Sequence, residues 1–109
     1  MAVARGESGT RRDGRGRVHR GFPAGAGIGD MILVLEHGHE GDLSRVLRHV
    51  RGIVMKWGTP ACHMGIIARE LGLPAVYGVG ESADHLRDGD EVEIHGLTGE
   101  VVVLSSAPR

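Results

Sequence analysis

The sequence predicts one α/β domain built on a mixed sheet, and three observations support this prediction. Strand-like and helix-like apolar patterns alternate along the 109 residues, an arrangement typical of α/β domains. The segment Met31–Leu35 is apolar at every position, as in a strand buried on both faces. The last two strand patterns, Glu91–His95 and residues 100–104, are separated by a short Gly-containing connection and predict a closing antiparallel hairpin.

Charge is unevenly distributed, although the net charge is only −1. Residues 1–20 contain six arginines against Glu7 and Asp13, while the rest of the chain is acidic overall. Such a segment could contact nucleic acid or an acidic partner, but nucleic-acid binding is not favoured because no aromatic residue lies among the arginines. We expect residues 1–20 to form a solvated arm or an edge strand, and residues 21–109 to form the domain.

The sequence contains a single cysteine, Cys62, which excludes a disulfide framework within the chain. No apolar run approaches the ~20 residues of a membrane span, and the N-terminus carries no apolar signal core. We therefore expect a cytoplasmic protein that makes no membrane contact.

Two further patterns contain residues of binding sites without their usual context. Gly25-x-Gly27-x-Gly29 has dinucleotide-loop spacing, but no strand precedes it and no helix follows. His37 and His39 are flanked by two carboxylates in EHGHE and could bind Zn or Ni, yet no third ligand occurs at a useful spacing. A solvated connection is the favoured interpretation of this second pattern, and a contact between the histidine pair and phosphate stays open.

Strands are also predicted at residues 1–5, at residues 16–20 on the sheet edge, at Gly52–Met55 and at residues 74–79. Two helices follow from apolar residues at spacings of three and four. The first runs over residues 42–51, with Asp42 as N-cap and one apolar face: Leu43, Val46, Leu47 and Val50. The second runs over residues 62–71, with Met64, Ile67, Ala68 and Leu71 on the face that packs against the sheet.

The segment between the strand Gly52–Met55 and the second helix is the candidate functional site. His63 falls where the loop turns into the helix, although Thr59 and Pro60 could equally serve as N-cap and first residue. A helix start offers unpaired N–H groups and the positive end of the helix dipole. His63 therefore lies where a phosphate group would be stabilised.

The stretch from Gly58 to Val79, GTPACHMGIIARELGLPAVYGV, carries a specific motif. It resembles the mobile phosphohistidine domain of the PEP-utilising enzymes, whose pattern is approximately G-G-x-[TL]-[ST/C]-H-x-[AG]-[IV]-[IV]-A-R-E-x-G-[IL]-P-A-V. Thr59 stands where many members have a second glycine, and Ala61 replaces the threonine of the dikinases. The positions that match are Gly58, Cys62, His63, Gly65, Ile66, Ile67, Ala68, Arg69, Glu70, Gly72, Leu73, Pro74, Ala75 and Val76.

The resemblance implies a swivelling β/β/α fold with short packing helices and a histidine that is phosphorylated. His63 would be the catalytic residue. Met64 and Gly65 would donate helix-start amides, with Gly65 also leaving room for a phosphate or partner backbone. Arg69 would be a phosphate ligand only by a long reach, and a salt bridge or a partner contact is equally favoured. Gly58, Thr59 and Cys62 would support the motif, with Cys62 as a small polar residue at the helix cap rather than a nucleophile.

The ATP-grasp domain and the PEP-binding barrel of the family would each require many more residues than this chain has. The resemblance thus implies a phosphotransferase component with no metal or cofactor of its own, and Mg²⁺ with PEP or ATP would be held by a partner. We expect a stand-alone phosphohistidine carrier that needs an ATP-grasp or PEP-binding partner. The alternatives are a non-catalytic regulatory or interaction module with the swivelling fold, and an excised domain of a larger PEP or ATP phosphotransferase.

Overall fold

The computed structural model describes residues 2–21, 30–36 and 47–106. Within these ranges the chain forms one α-helix, α1 (His63–Leu71), and a 3₁₀ segment (Gly80–His85). The strands are β1 (Ala2–Arg5), β2 (Glu7–Ser8), β3 (Gly14–Arg20), β4 (Met31–Leu35), β5 (Gly52–Met55), β6 (Ala75–Tyr77), β7 (Glu91–His95) and β8 (Glu100–Ser105).

All of these strands belong to a single mixed sheet with the order β1-β8-β7-β3-β4-β5-β6-β2. Strands β3, β4, β5 and β6 are parallel to one another, whereas every other neighbouring pair is antiparallel. The predicted hairpin is confirmed, because β7 pairs with β8. The predicted α/β class with a mixed sheet is confirmed as well.

The two edges of the sheet are linked by one residue. β1 and β2 lie at opposite ends of the strand order, yet only Gly6 separates them in the sequence. A single residue spans less than about 4 Å, so the sheet must curl until its edges meet. The Gly6 amide donates to the Gly99 carbonyl at 2.9 Å. A Cβ on Gly6 would overlap the carbonyl oxygen of Tyr77, so only glycine fits at the crossing.

Side-chain alternation along the central strands divides the apolar residues between two cores. In β4, Ile32 and Val34 face the core enclosed by the curled sheet. Leu33 and Leu35 face the opposite way, into a core that α1 covers with Met64 and other residues. Two sheet walls and one helical layer make up the predicted β/β/α architecture.

The structure corrects three details of the sequence interpretation. Gly16–Arg20 was predicted at an edge, but β3 lies inside the sheet, because it pairs with β4 on one side and with the distant strand β7 on the other. Leu71 does not pack on the sheet and is 39% exposed, since α1 ends there. The run Val101–Leu104 is continuously apolar, which predicts burial on both faces, but β8 is buried at Val101 and exposed at Leu104, where the outer face of the strand is uncovered.

Residues 2–20 supply β1, β2 and β3 to the same sheet as the rest of the described chain. Several predicted features lie outside the described residues: Gly25-x-Gly27-x-Gly29, the His37/His39 pair and most of the helix at residues 42–51. From that helix, the predicted core residues Leu47 and Val50 are described and are buried.

Replacing Gly6 with alanine tests the crossing. Because the added methyl group meets the Tyr77 backbone rather than a flexible side chain, we expect the free energy of unfolding to fall by about 1–3 kcal/mol, measured by urea denaturation. The neighbouring exposed change Glu7→Ala serves as the control and should alter stability by no more than about 0.5 kcal/mol. Equal stability of the two variants would contradict the closed-sheet assignment.

Candidate functional site

The loop that precedes His63 leaves the sheet at the carboxyl ends of the parallel strands. Its first residues are held from both sides. The Lys56 amide donates to the Leu35 carbonyl at 2.8 Å, and the Trp57 amide donates to the Glu36 carbonyl at 3.0 Å. On the other side, the Gly80 amide donates to the Lys56 carbonyl at 2.9 Å. The loop therefore starts from a backbone position fixed by β4 and by the 3₁₀ segment.

A tight turn then directs the chain into the helix. Gly58 has φ +110°, a conformation that favours glycine. The Cys62 amide donates to the Thr59 carbonyl at 3.1 Å, which closes a four-residue turn with Pro60 at its second position. The Thr59 hydroxyl accepts from the Ala61 amide at 3.2 Å. Thr59 and Pro60 thus form the turn, and they do not start the helix.

The helix begins at His63, with Cys62 as its N-cap in an extended conformation. The first hydrogen bond of the helix runs from the Ile66 amide to the Cys62 carbonyl at 3.0 Å. Within the described residues, the amides of His63, Met64 and Gly65 have no acceptor. His63 is exposed, whereas Met64 and Gly65 are buried beneath it. A solvent-facing imidazole therefore lies beside unpaired amide donors at the positive end of a helix.

The structure gives a reason for glycine at position 65 that differs from the one expected. A Cβ on Gly65 would overlap the carbonyl oxygen of Pro60, so the loop backbone occupies the space beside it. The turn therefore fills the space on the Cβ side of Gly65, and the expectation that Gly65 leaves room for a phosphate or a partner backbone stays a prediction. Glycine at this position lets the turn pack directly on the helix.

Arg69 lies six residues after His63, which is about 9 Å along the helix axis. Its side chain is exposed and lines an open cleft of about 490 Å³ between α1 and the edge strand β2. The other residues that line this cleft are Glu7, Thr59, Pro60, Ala61 and Ile66. Arg69 thus shares a cleft with the turn before His63.

Sequence reasoning missed Tyr77, which lies under this region. Its side chain is fully buried, and its hydroxyl has no hydrogen-bond partner in the described part of the chain. Burial raises the pKa of the Tyr77 hydroxyl from 10.0 to about 12, helped by Cys62 and opposed by the Arg69 charge. The sequence carries one signal for this arrangement, which is that Tyr77 is a bulky residue in a strand whose other residues are small.

Two large apolar side chains remain exposed on the loop and helix that carry His63. Trp57 is 46% exposed and Ile66 is 48% exposed. The Lys56 ammonium lies 5.7 Å from the centre of the Trp57 ring and also contacts Asp84 at 3.1 Å. The loop and helix that carry His63 thus present both exposed apolar side chains and a charged pair.

The structure brings together His63, Met64, Gly65, Gly58, Thr59 and Cys62, all within one turn and one helix start. Arg69 is near the turn but is not on the first turn of the helix. The described residues contain no group of His, Cys, Asp and Glu side chains that could hold a metal ion. Among the helices in the described ranges, none is long and apolar enough to cross a membrane.

Replacing Gly65 with alanine tests the packing of the turn on the helix. Alanine favours the helical state by about 1 kcal/mol over glycine, but overlap with the rigid Pro60 carbonyl should outweigh this gain. We expect a net loss of about 1–3 kcal/mol in the free energy of unfolding, measured by chemical denaturation. Glu70→Ala, an exposed change in the same helix, is the control. A Gly65→Ala variant as stable as this control would refute the packing argument.

Tyr77 predicts a stability loss at alkaline pH. The pKa of the Tyr77 hydroxyl is about 12 in the folded protein and 10.0 in the unfolded chain. The stability that Tyr77 contributes through this difference is therefore complete below pH 10 and is lost as the pH rises toward 12. The expected loss at pH 12 is about 2 kcal/mol relative to Tyr77→Phe, measured by denaturation at several pH values. At neutral pH, Tyr77→Phe should be at least as stable as the wild type, because it removes an unsatisfied hydroxyl. Parallel pH profiles for the two proteins would argue against this environment.

Comparison with known proteins agrees with the geometry. The family model described as "PEP-utilising enzyme, mobile domain" matches residues 28–99. Rifampicin phosphotransferase of Streptomyces sviceus is 43% identical over 56 residues, which cover 51% of this chain and 6% of that protein. The chain therefore corresponds to a small part of this curated relative.

Two solved structures share the fold. An NMR structure of Enzyme I superposes with a TM-score of 0.57 at 28% identity, over 70% of this chain and 31% of that one. The crystal structure of Thermococcus kodakaraensis aconitase X superposes with a TM-score of 0.73 at 20% identity, over 94% of this chain and 98% of that one. The second likeness shows the fold alone. With the family model matched over residues 28–99, which include β4 to β7 and the His63 segment, this chain belongs to the mobile-domain family of the PEP-utilising enzymes.

Proposed function

We propose that this chain is a phosphohistidine carrier, which accepts a phosphoryl group on His63 from a PEP- or ATP-dependent partner and passes it to an acceptor. The observation that carries the proposal is the position of His63: an exposed imidazole at a helix start, in the segment that the family model matches. The single cysteine of the sequence, Cys62, fits the reducing environment of the cytoplasm, as do the proposed donors PEP and ATP.

The proposed reaction is two successive in-line displacements at phosphorus. One ring nitrogen of His63 attacks the donor phosphorus, and the P–O bond of the donor breaks as the P–N bond forms. The other ring nitrogen keeps its proton. In the second step an acceptor oxygen attacks phosphorus, the P–N bond breaks, and the acceptor proton passes to a base of the acceptor site. His63 then returns to its neutral form.

The residues around His63 would assist this transfer by holding the phosphate oxygens. The unpaired amides of the first helical turn are hydrogen-bond donors that need no rearrangement. The helix dipole adds a favourable contribution of about 0.3–1 kcal/mol at an exposed helix end. Arg69 would reach the phosphate only if its side chain extended back along the cleft toward the turn. We therefore assign the main support to the amides of Met64 and Gly65.

A partner must supply the donor site. Mg²⁺ with PEP or ATP would be bound by that partner, in an ATP-grasp or PEP-binding domain. The exposed Trp57 and Ile66 fit the role of docking contacts. As the chain spans only a small share of the curated relative's length, the partner, the donor and the acceptor are all parts of the proposal.

Transfer of labelled phosphate tests the proposal. The chain would be incubated with ³²P-labelled PEP or γ-³²P-ATP and a candidate ATP-grasp or PEP-binding protein encoded beside it. We expect label that is lost in acid and retained in alkali, because a phosphoramidate bond has this stability. His63→Ala should abolish labelling of this chain, while the partner protein remains folded and competent to bind its donor.

His85→Ala is the matched control, since His85 is also exposed but lies on the 3₁₀ segment. This variant should label as well as the wild type. Equal labelling of His63→Ala, or an unlabelled wild type with both donors, would contradict a carrier role. Unchanged biological activity of His63→Ala would instead support a regulatory or interaction module.

A further inference from the structure

The arginines of residues 1–20 fall into two groups. Four of them have a partner: Arg5 with Glu100 at 3.1 Å, Arg15 with Glu91 at 3.3 Å, Arg17 with Asp30 at 3.9 Å, and Arg20 with the carbonyls of Ala83 and Leu86 at 2.7 Å. Arg11 and Arg12 are exposed and have no hydrogen-bond or ion-pair partner among the described residues. The carrier role assigns no task to these two cations.

Arg12 is part of a cleft that three arginines line. Arg12, Arg15 and Arg51 line one open cleft of about 490 Å³. Arg51 also donates to the Arg15 carbonyl at 3.5 Å, which holds the two chain segments together. The remaining lining residues are Asp13, Gly14, Gly72 and Pro74. We refer to this feature as the arginine cleft.

The arginine cleft lies at the end of the parallel strands opposite to the end at which His63 lies. Gly14 starts β3, Arg51 directly precedes β5, and Pro74 directly precedes β6, so these residues mark the amino ends of the parallel strands. Gly72 caps the far end of the helix that His63 begins. A nine-residue helix is about 13 Å long, which separates the cleft from His63 by at least one helix length.

The segment that presents Arg12 is held rigidly. The Gly9 amide donates to the Ala75 carbonyl at 3.0 Å, and the Thr10 hydroxyl donates to the Leu73 carbonyl at 3.0 Å. On the other side of Arg12, the Asp13 carboxylate accepts from the Gly96 amide at 3.0 Å. Because both flanks are anchored, little backbone conformational entropy is lost when an anion binds to Arg12.

The charge balance of the arginine cleft favours an extended anion over a compact one. Three arginines and one acidic residue, Asp13, line the cleft, and Arg15 also pairs with Glu91 at 3.3 Å. The negative end of α1 at Gly72 further weakens any single deeply bound anion. Several carboxylates spread over the cleft can each meet one arginine at the rim. Among the described residues, no aromatic side chain lines the cleft, so stacked nucleotide bases would find no platform there.

We propose that the arginine cleft binds a carboxylate-rich segment of the partner protein and so tethers the carrier. This inference rests on the proposed function, since a carrier must expose His63 to a donor site and then to an acceptor site. A tether at the His63 edge would obstruct one of the two visits. A contact at the opposite edge keeps the carrier at high local concentration while leaving His63 free to move.

Titration of the ¹⁵N-labelled 109-residue chain with acetyl-hexaglutamate amide at about 20 mM salt, where surface charges are weakly screened, tests the tether. We expect amide shifts at Arg12, Gly14 and Gly72 and none at His63. Arg12→Gln/Arg15→Gln should weaken binding by about tenfold. The control Arg5→Gln/Arg87→Gln removes the same charge outside the cleft and should weaken binding by about twofold or less.

The peptide titration can be separated from the test of the carrier role, because His63→Ala should bind the peptide with unchanged affinity. Absence of shifts at the cleft would overturn the tether. Equal weakening in both double variants would reduce the binding to general charge attraction and also overturn it. Pyrophosphate or a thymidine oligonucleotide could bind more tightly than the peptide, with the same dependence on Arg12 and Arg15. That result would overturn the acidic segment as the ligand and assign the cleft to phosphate.

Discussion

The passage of the chain through Gly6 is the constraint on which the remaining structure depends. One residue joins the two outermost strands, so the sheet has to close on itself. Curling of the sheet encloses the inner core of aliphatic side chains and brings the two edge strands, β1 and β2, together at Gly6. It also presses the segment after β2 against Tyr77, the side chain that lies beneath the helix start. The stability of the His63 surface is therefore linked to the first residues of the chain.

The functional loop combines a rigid frame with an exposed end. Backbone hydrogen bonds from Lys56 and Trp57 fix its start on β4, and the Thr59–Cys62 turn sets the direction of α1. Gly65 allows the turn to lie on the helix without a gap. His63 itself is left facing solvent with unpaired amides beside it. A group held in this way can receive a ligand without reorganisation, which is the condition for an efficient transfer site.

Several elements were predictable because they are recorded in local patterns. Continuous apolar runs marked β4 and β5 with the observed bounds, and the glycine and proline after α1 marked its end. The start of α1 was ambiguous, because Thr59–Pro60 and Cys62–His63 both satisfy local capping preferences. The hydrogen bond from Cys62 to Thr59 decides between them. The interior position of β3 was not predictable, since its neighbours come from distant parts of the sequence.

The sequence by itself determined the α/β class, the hairpin, the helix that follows the loop and the family motif around His63. These features depend on side-chain periodicity and on residue types that act within a few positions. Only the tertiary structure decided that residues 2–8 close the sheet, that Tyr77 is buried without a partner, and that Arg12, Arg15 and Arg51 meet in one cleft. Each of these depends on contacts between segments far apart in the chain, and local patterns carry no record of them.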